Sequence, residues 1–140
     1  MQYDTTRVLV VDDDPDLLET SARFLERESS RIEVTTERRP DAVPGRLREN
    51  TLDCLVSDYQ MPGMDGLALL DAVRETHPDL PFVLFTARDI EQIASDASSN
   101  GVDEYVQKRC DREQYRTLAH YIRKLGTEYR ARRNSRGSNP

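Results

Sequence analysis

RVLVVDDDPD, residues 7–16, is an apolar run that ends abruptly in acid. Its first five residues, three of them valine, are too few for a helix and too uniformly apolar for a strand with one wet face. They read as a strand buried on both sides, the kind found inside parallel sheets. Asp14, Pro15 and Asp16 then predict a helix start. Asp14 supplies a capping side chain, Pro15 lacks an N–H where none is needed, and Asp16 places acid near the positive end of the helix dipole. Behind them Leu17, Leu18, Ala22, Phe24 and Leu25 recur near helical spacing, mostly on one face.

The same alternation repeats outward from this stretch. Strands are predicted near 31–36, 52–57, 82–86 and 102–107, and helices near 40–49, 66–76, 89–99 and 111–125, the helix at 89–99 being the weakest. Strict alternation of strand and helix implies a parallel sheet with right-handed crossovers and helices on both faces. The expected fold class is α/β, a doubly wound five-stranded parallel sheet. In such sheets ligands bind outside the carboxyl ends of the strands, where strand order reverses. Asp12 and Asp13 follow the first strand, Asp58 the third, Thr86 the fourth and Lys108 the fifth.

Three carboxylates gathered in one crevice repel one another and call for a compensating cation. Mg2+ suits them best, because it takes oxygen ligands, needs few protein carboxylates and keeps exchangeable waters. Lys108 adds a fixed positive charge, Thr86 a hydroxyl donor and Asp58 a carboxylate nucleophile, a set matched to acyl-phosphate formation. Taken singly, each has a plainer role: Asp12 and Asp13 as a solvated strand end, Thr86 as a cap, Tyr105 as half-buried strand filler.

Composition narrows the field. The length of 140 residues fits one domain with tails. No apolar run is long enough for a bilayer, and MQYDTTR at the start lacks a basic region followed by an apolar stretch, so a cytoplasmic protein with no membrane association is expected. Cys54 and Cys110 have neither the number nor the spacing of a disulfide framework or a zinc site, and Cys54 reads as a core thiol. His77 and His120 read as solvated. Of the formal charge of −6, residues 1–126 carry −9, since the last fourteen residues hold four Arg and one Glu. An acidic body argues against direct nucleic-acid binding, which needs clustered cations. Eighteen of the twenty cations are Arg, which with the acid surplus points to a salt-adapted composition.

VLVVDDDP, SDYQMPGMDG, FTA and GVDEYVQK occur in order, and together they resemble the receiver domains of two-component response regulators. The resemblance spans about residues 7–125. It implies a flavodoxin-like (βα)5 sheet of order 2-1-3-4-5, in which the third and fifth strands lie about 9.5 Å apart, too far for Cys54 and Cys110 to bridge. It further implies that Asp58 is the phosphoacceptor, and that Asp13, Asp58 and the Gln60 carbonyl hold Mg2+ with help from Asp12. Lys108 would pair with phosphoryl oxygens, Thr86 and Tyr105 would relay the change to the output face, and small Ala87 would keep access open. The donor would be a phosphohistidine on a sensor histidine kinase. Such a domain catalyses its own phosphorylation and slow dephosphorylation and turns over no separate substrate. A phosphorylation-independent pseudo-receiver remains the alternative, and an aspartyl-phosphate phosphohydrolase a third reading that lacks its second acid at Gln60.

Two departures from the family stand out. Receivers usually follow the lysine with a proline, often cis, whereas Arg109 follows Lys108 here and predicts a trans bond. Gln60 and Arg88 occupy positions that in the family tune phosphate lifetime. At the other end Tyr115, Leu118, Ile122, Leu125 and Tyr129 continue a helical stripe past residue 125, weakly interrupted by Gly126. Residues 126–140 are expected to form a basic, partly disordered tail with solvated Arg130, Arg132 and Arg133. It could also begin a linker to covalently attached sensory or kinase domains.

Overall fold

The computed structural model describes residues 5–95, 101–109 and 111–137. Five parallel strands, β1 (Thr6–Val11), β2 (Ile32–Glu37), β3 (Cys54–Ser57), β4 (Phe82–Thr86) and β5 (Glu104–Gln107), form one sheet of order β2-β1-β3-β4-β5. The expected flavodoxin-like topology is therefore the observed one. β1 lies between β2 and β3, with Val8 opposite Val34 on one side and Cys54 on the other.

Because successive side chains of a strand point to opposite faces, RVLVV feeds two cores at once. Val8 and Val10 join Cys54, Val56, Val83 and Phe85 under α1 (Pro15–Glu28) and α5 (Glu113–Gly137). Leu9 and Val11 join Leu55, Phe82 and Leu84 under α2 (Val43–Glu49), α3 (Gly66–Thr76) and α4 (Ile90–Ala94). Full burial of each such side chain contributes about 1.5–3 kcal/mol.

Asp14 caps α1 as expected, its carboxylate accepting from the Asp16 and Leu17 amides at 3.0 and 3.3 Å. The buried line of that helix is Leu18, Ser21 and Leu25, with Ala22 and Phe24 at its margin. Ser21 is tolerated there because its hydroxyl meets the Tyr115 hydroxyl at 3.4 Å. The helix expected at 40–49 is divided: a 3-10 turn, Pro40–Ala42, precedes α2. Pro44 has no N–H to return to Pro40, so one continuous ladder cannot form across that point. α4 is short, and the remainder of the helix expected at 89–99 lies outside the described residues, as does Cys110.

At the carboxyl end a basic, partly disordered tail was expected from residue 126, with the helical stripe only weakly continued into it past Gly126. α5 instead runs unbroken to Gly137. Gly126 is not an interruption but a point of close approach, since a Cβ there would lie 2.5 Å from Thr6 Cγ2. Leu118 and Ile122 pack in the α1 core, whereas Tyr129 packs against the core on the opposite face. The helix thus passes beneath the amino ends of the strands.

Arg130 and Arg133, expected to be solvated, converge there on Asp53, whose side chain is 3% exposed. Arg130 Nη1 donates to Asp53 Oδ2 at 3.2 Å, to the Thr5 carbonyl at 3.1 Å and to Thr6 Oγ1 at 3.0 Å. Arg133 Nη2 donates to Asp53 Oδ1 at 3.2 Å, and the Arg7 amide donates to Oδ2 at 2.9 Å. A buried carboxylate is tolerable only with such partners.

Candidate functional site

Strand order reverses between β1 and β3, and the acids sit on either side of that point. Asp12 and Asp13 follow β1 and Asp58 follows β3, held level by the Asp58 amide donating to the Val11 carbonyl at 3.0 Å. One carboxylate oxygen from each of Asp12, Asp13 and Asp58 lies within 4.8 Å of the others. Asp12 is buried, Asp58 half-buried and Asp13 exposed, so the cluster opens outward on the Asp13 side.

Lys108 reaches in from the end of β5. Its Nζ is 2.7 Å from Asp12 Oδ2 and 3.3 Å from Asp58 Oδ2, and it lies 5.7 Å from the centre of the Phe85 ring. The Lys108 amide donates to the Thr86 carbonyl at 2.8 Å, which ties the lysine loop to the end of β4. Burial pushes the Asp12 carboxyl above its ordinary value, and the nearby Asp58 charge adds to the rise. The hydrogen bond from Lys108 and that from the Asp14 amide oppose it. A second cation beside these acids would relieve the remaining repulsion.

Asp58 itself is set by its backbone. Its Oδ1 accepts from the Tyr59 amide at 2.7 Å, which leaves Oδ2 turned to Lys108. Its carbonyl accepts from the Ser57 hydroxyl at 2.8 Å. Gly66, the first residue of α3, packs so closely that a Cβ would lie 2.4 Å from the Asp58 carbonyl oxygen and 2.9 Å from Leu84 Cδ1. Gly63, at φ +82°, makes the turn between them, and Asp65 caps α3 through the Ala68 amide at 2.8 Å.

Thr86 is buried at the end of β4, and its hydroxyl oxygen accepts from the Arg88 amide at 3.2 Å. Its proton is thereby directed away from that amide and available to an acceptor. Ala87 is exposed beside it, its carbonyl accepting from Gln107 Nε2 at 3.5 Å. Tyr105 is half-buried against the core that contains Leu9 and Leu84. Gln60 is exposed, and its side-chain oxygen accepts from Arg88 Nε at 3.2 Å while the Arg88 guanidinium lies 5.7 Å over the Tyr59 ring. Gln60 and Arg88 thus clasp one another across the crevice, a pairing with no local sequence signature. Among the described residues no peptide bond is cis, Lys108–Arg109 included.

A doubly wound sheet with a carboxylate–lysine crevice at its switch point defines the class. The family model for the response regulator receiver domain matches residues 8–120, and the chain belongs to that family. It is 35% identical over 119 residues to the DNA-binding transcriptional regulator NtrC of Salmonella typhimurium, covering 81% of this chain and 25% of NtrC. It therefore spans about a quarter of that relative's length. Among solved structures it resembles the response regulator TrrA of Thermotoga maritima in complex with Mg2+ and BeF, at 30% identity and TM-score 0.75 over 86% of this chain and 98% of TrrA. TrrA in complex with the histidine kinase ThkA matches at 28% identity and TM-score 0.72, covering 84% of this chain and 97% of that one.

Proposed function

We propose that the chain is a phosphoacceptor switch that takes a phosphoryl group from a sensor histidine kinase onto Asp58. The observation that carries this reading is the Asp58 Oδ2, 3.3 Å from Lys108 Nζ within a cluster of three carboxylates. In the transfer an Asp58 oxygen bonds to phosphorus as the bond from phosphorus to the donor imidazole breaks, the imidazole keeping the electron pair and taking a proton. Lys108 turns from the carboxylates to the phosphoryl oxygens. The Thr86 hydroxyl donates to one of them, and exposed Ala87 leaves the approach open.

The donor set fits Mg2+: carboxylate oxygens from Asp12, Asp13 and Asp58, more negative charge than Lys108 alone balances, and an open side at Asp13, with the Gln60 carbonyl as the backbone ligand that would join them. Mg2+ held there supplies neutralising charge for the transferring oxygens. Once Thr86 turns to the phosphoryl group, Tyr105 moves further into the space beside β4, altering the face formed by α4, β5 and α5. Further sensory, kinase or output modules joined to this receiver in a cytoplasmic protein, with no nucleic-acid contact by the receiver itself, complete the reading. Among the described residues no helix is long and apolar enough to cross a membrane.

Incubation with Mg2+ and acetyl phosphate is expected to add one phosphoryl group, detected as intact mass, and Asp58→Asn is expected to abolish it. Full labelling of Asp58→Asn would refute the assignment. Labelling that is absent from the native chain as well would leave a pseudo-receiver.

A further inference from the structure

Two grooves open beside the acidic crevice and share a wall of Asp13, Arg38 and Arg39. One extends toward Glu37 and Arg46, the other toward Pro62 and Met64. Three arginines therefore stand at the mouth of a site built from carboxylates. Two are already matched: Arg46 by Glu37 at 3.3 Å and the Thr36 carbonyl at 3.1 Å, and Arg39 by Asp41 at 2.9 Å. Arg38 is exposed and forms no ion pair among the described residues. With Glu37 and Asp41 taken and Asp13 belonging to the crevice, Arg38 is the unmatched cation of the groove wall.

Lys108 and a bound Mg2+ would offset the three carboxylates within the crevice, but the acidic body around it, −6 in all, still repels an approaching anion. A cation at the rim offsets that field along one approach path and raises the local concentration of the anion. We propose that Arg38 is the cation of a receiving subsite for dianionic phosphodonors, holding the phosphoryl-bearing anion in the groove beside Asp13 before transfer. The inference rests on the phosphoacceptor reading of Asp58. Arg38 is a positioning residue and touches none of the reacting atoms. With acetyl phosphate as donor, an Asp58 oxygen bonds to phosphorus, the bond from phosphorus to the acetyl oxygen breaks, and acetate leaves with the electron pair.

The test compares two small donors: acetyl phosphate, a dianion near neutral pH, and phosphoramidate, which carries one negative charge fewer. At low ionic strength Arg38→Gln should lower the apparent second-order rate constant for acetyl phosphate about five-fold, somewhat under the roughly ten-fold lower bound for steering by a whole charged cleft because only one charge is removed. The loss with phosphoramidate should be about two-fold or less. In about 1 M salt, where screening acts within about 3 Å, the acetyl phosphate loss should shrink to within about two-fold. Arg38→Lys should restore most of the rate. Arg48→Gln makes the same change in net charge on an exposed residue outside both grooves and should leave the rate unchanged. Equal losses with both donors, no loss with either, or an equal loss in Arg48→Gln would overturn the subsite. A native chain phosphorylated at a rate indifferent to residue 38 refutes this inference alone. A native chain that neither donor phosphorylates refutes the phosphoacceptor reading and the subsite with it.

Discussion

Asp53→Asn should cost this protein far more than its position at the start of a strand, remote from the acidic crevice, would indicate. The carboxylate is 3% exposed and accepts from Arg130, Arg133 and the Arg7 amide. Neutralising it leaves the Arg130 guanidinium, itself 12% exposed, without a counter-charge. Removing one member of a buried pair costs about 3–5 kcal/mol. Arg133 is 35% exposed, so its share is screened by water and worth about 0.5–1 kcal/mol. The expected order of destabilisation is therefore Asp53→Asn at about 3 kcal/mol or more, then Arg130→Gln at about 2 kcal/mol for its charge-assisted bonds, then Arg133→Gln. For a domain of this size each kcal/mol lowers Tm by about 4 °C, so Asp53→Asn should melt about 12 °C below the native protein.

Urea denaturation supplies the free energies, and amide exchange locates the effect, with protection at residues 127–133 lost first. The Asp53→Asn/Arg130→Gln double variant should cost less than the sum of its two single variants, because both act on one interaction. A chain cut after Leu125 should be destabilised about as much as Asp53→Asn. A loss below about 1 kcal/mol for Asp53→Asn, or equal effects of Arg130→Gln and Arg133→Gln, would refute the docking of the helix end beneath the sheet.

Gly66→Ala should lower stability by about 1–3 kcal/mol and weaken Mg2+ binding, measured by calorimetry, because the new Cβ would stand 2.4 Å from the Asp58 carbonyl. Asp12→Asn should raise the Tm of the metal-free protein. The folded Asp12 carboxyl holds its proton to higher pH than the unfolded one, so this group costs stability as pH rises through that range and the cost persists at neutral pH. A melting series from pH 3 to 8 should show the variant gaining on the native protein as pH increases, and no gain at pH 7 would count against the burial argument. Burial also pushes the Cys54 thiol up, so iodoacetamide near pH 8 should leave the Cys54 peptide unmodified until the chain is unfolded in urea, as peptide mass spectrometry would record.

The parallel sheet and the carboxyl-end acids were legible in the amino-acid sequence because both depend on local pattern. RVLVV, CLVS and FVLFT announce strands buried on two faces by their unbroken apolar character, and Asp14-Pro15 and Asp65-Gly66 mark helix starts by their own backbone chemistry. Topology of this class then places Asp12, Asp13, Asp58, Thr86 and Lys108 at one edge without any further information. What only the tertiary structure decided is which charges meet. Arg130 and Arg133 find Asp53 across 77 and 80 residues of chain, and Arg88 finds Gln60 across 28. A basic polar segment carries no local mark of such partners, so Gly126 read as a weak interruption of a helical stripe running into a solvated tail when it was the contact letting α5 pass Thr6. Arg38 differs from Arg39 and Arg46 by the same logic: the three are alike as residues, and only the folded chain determines which one keeps an unmatched charge.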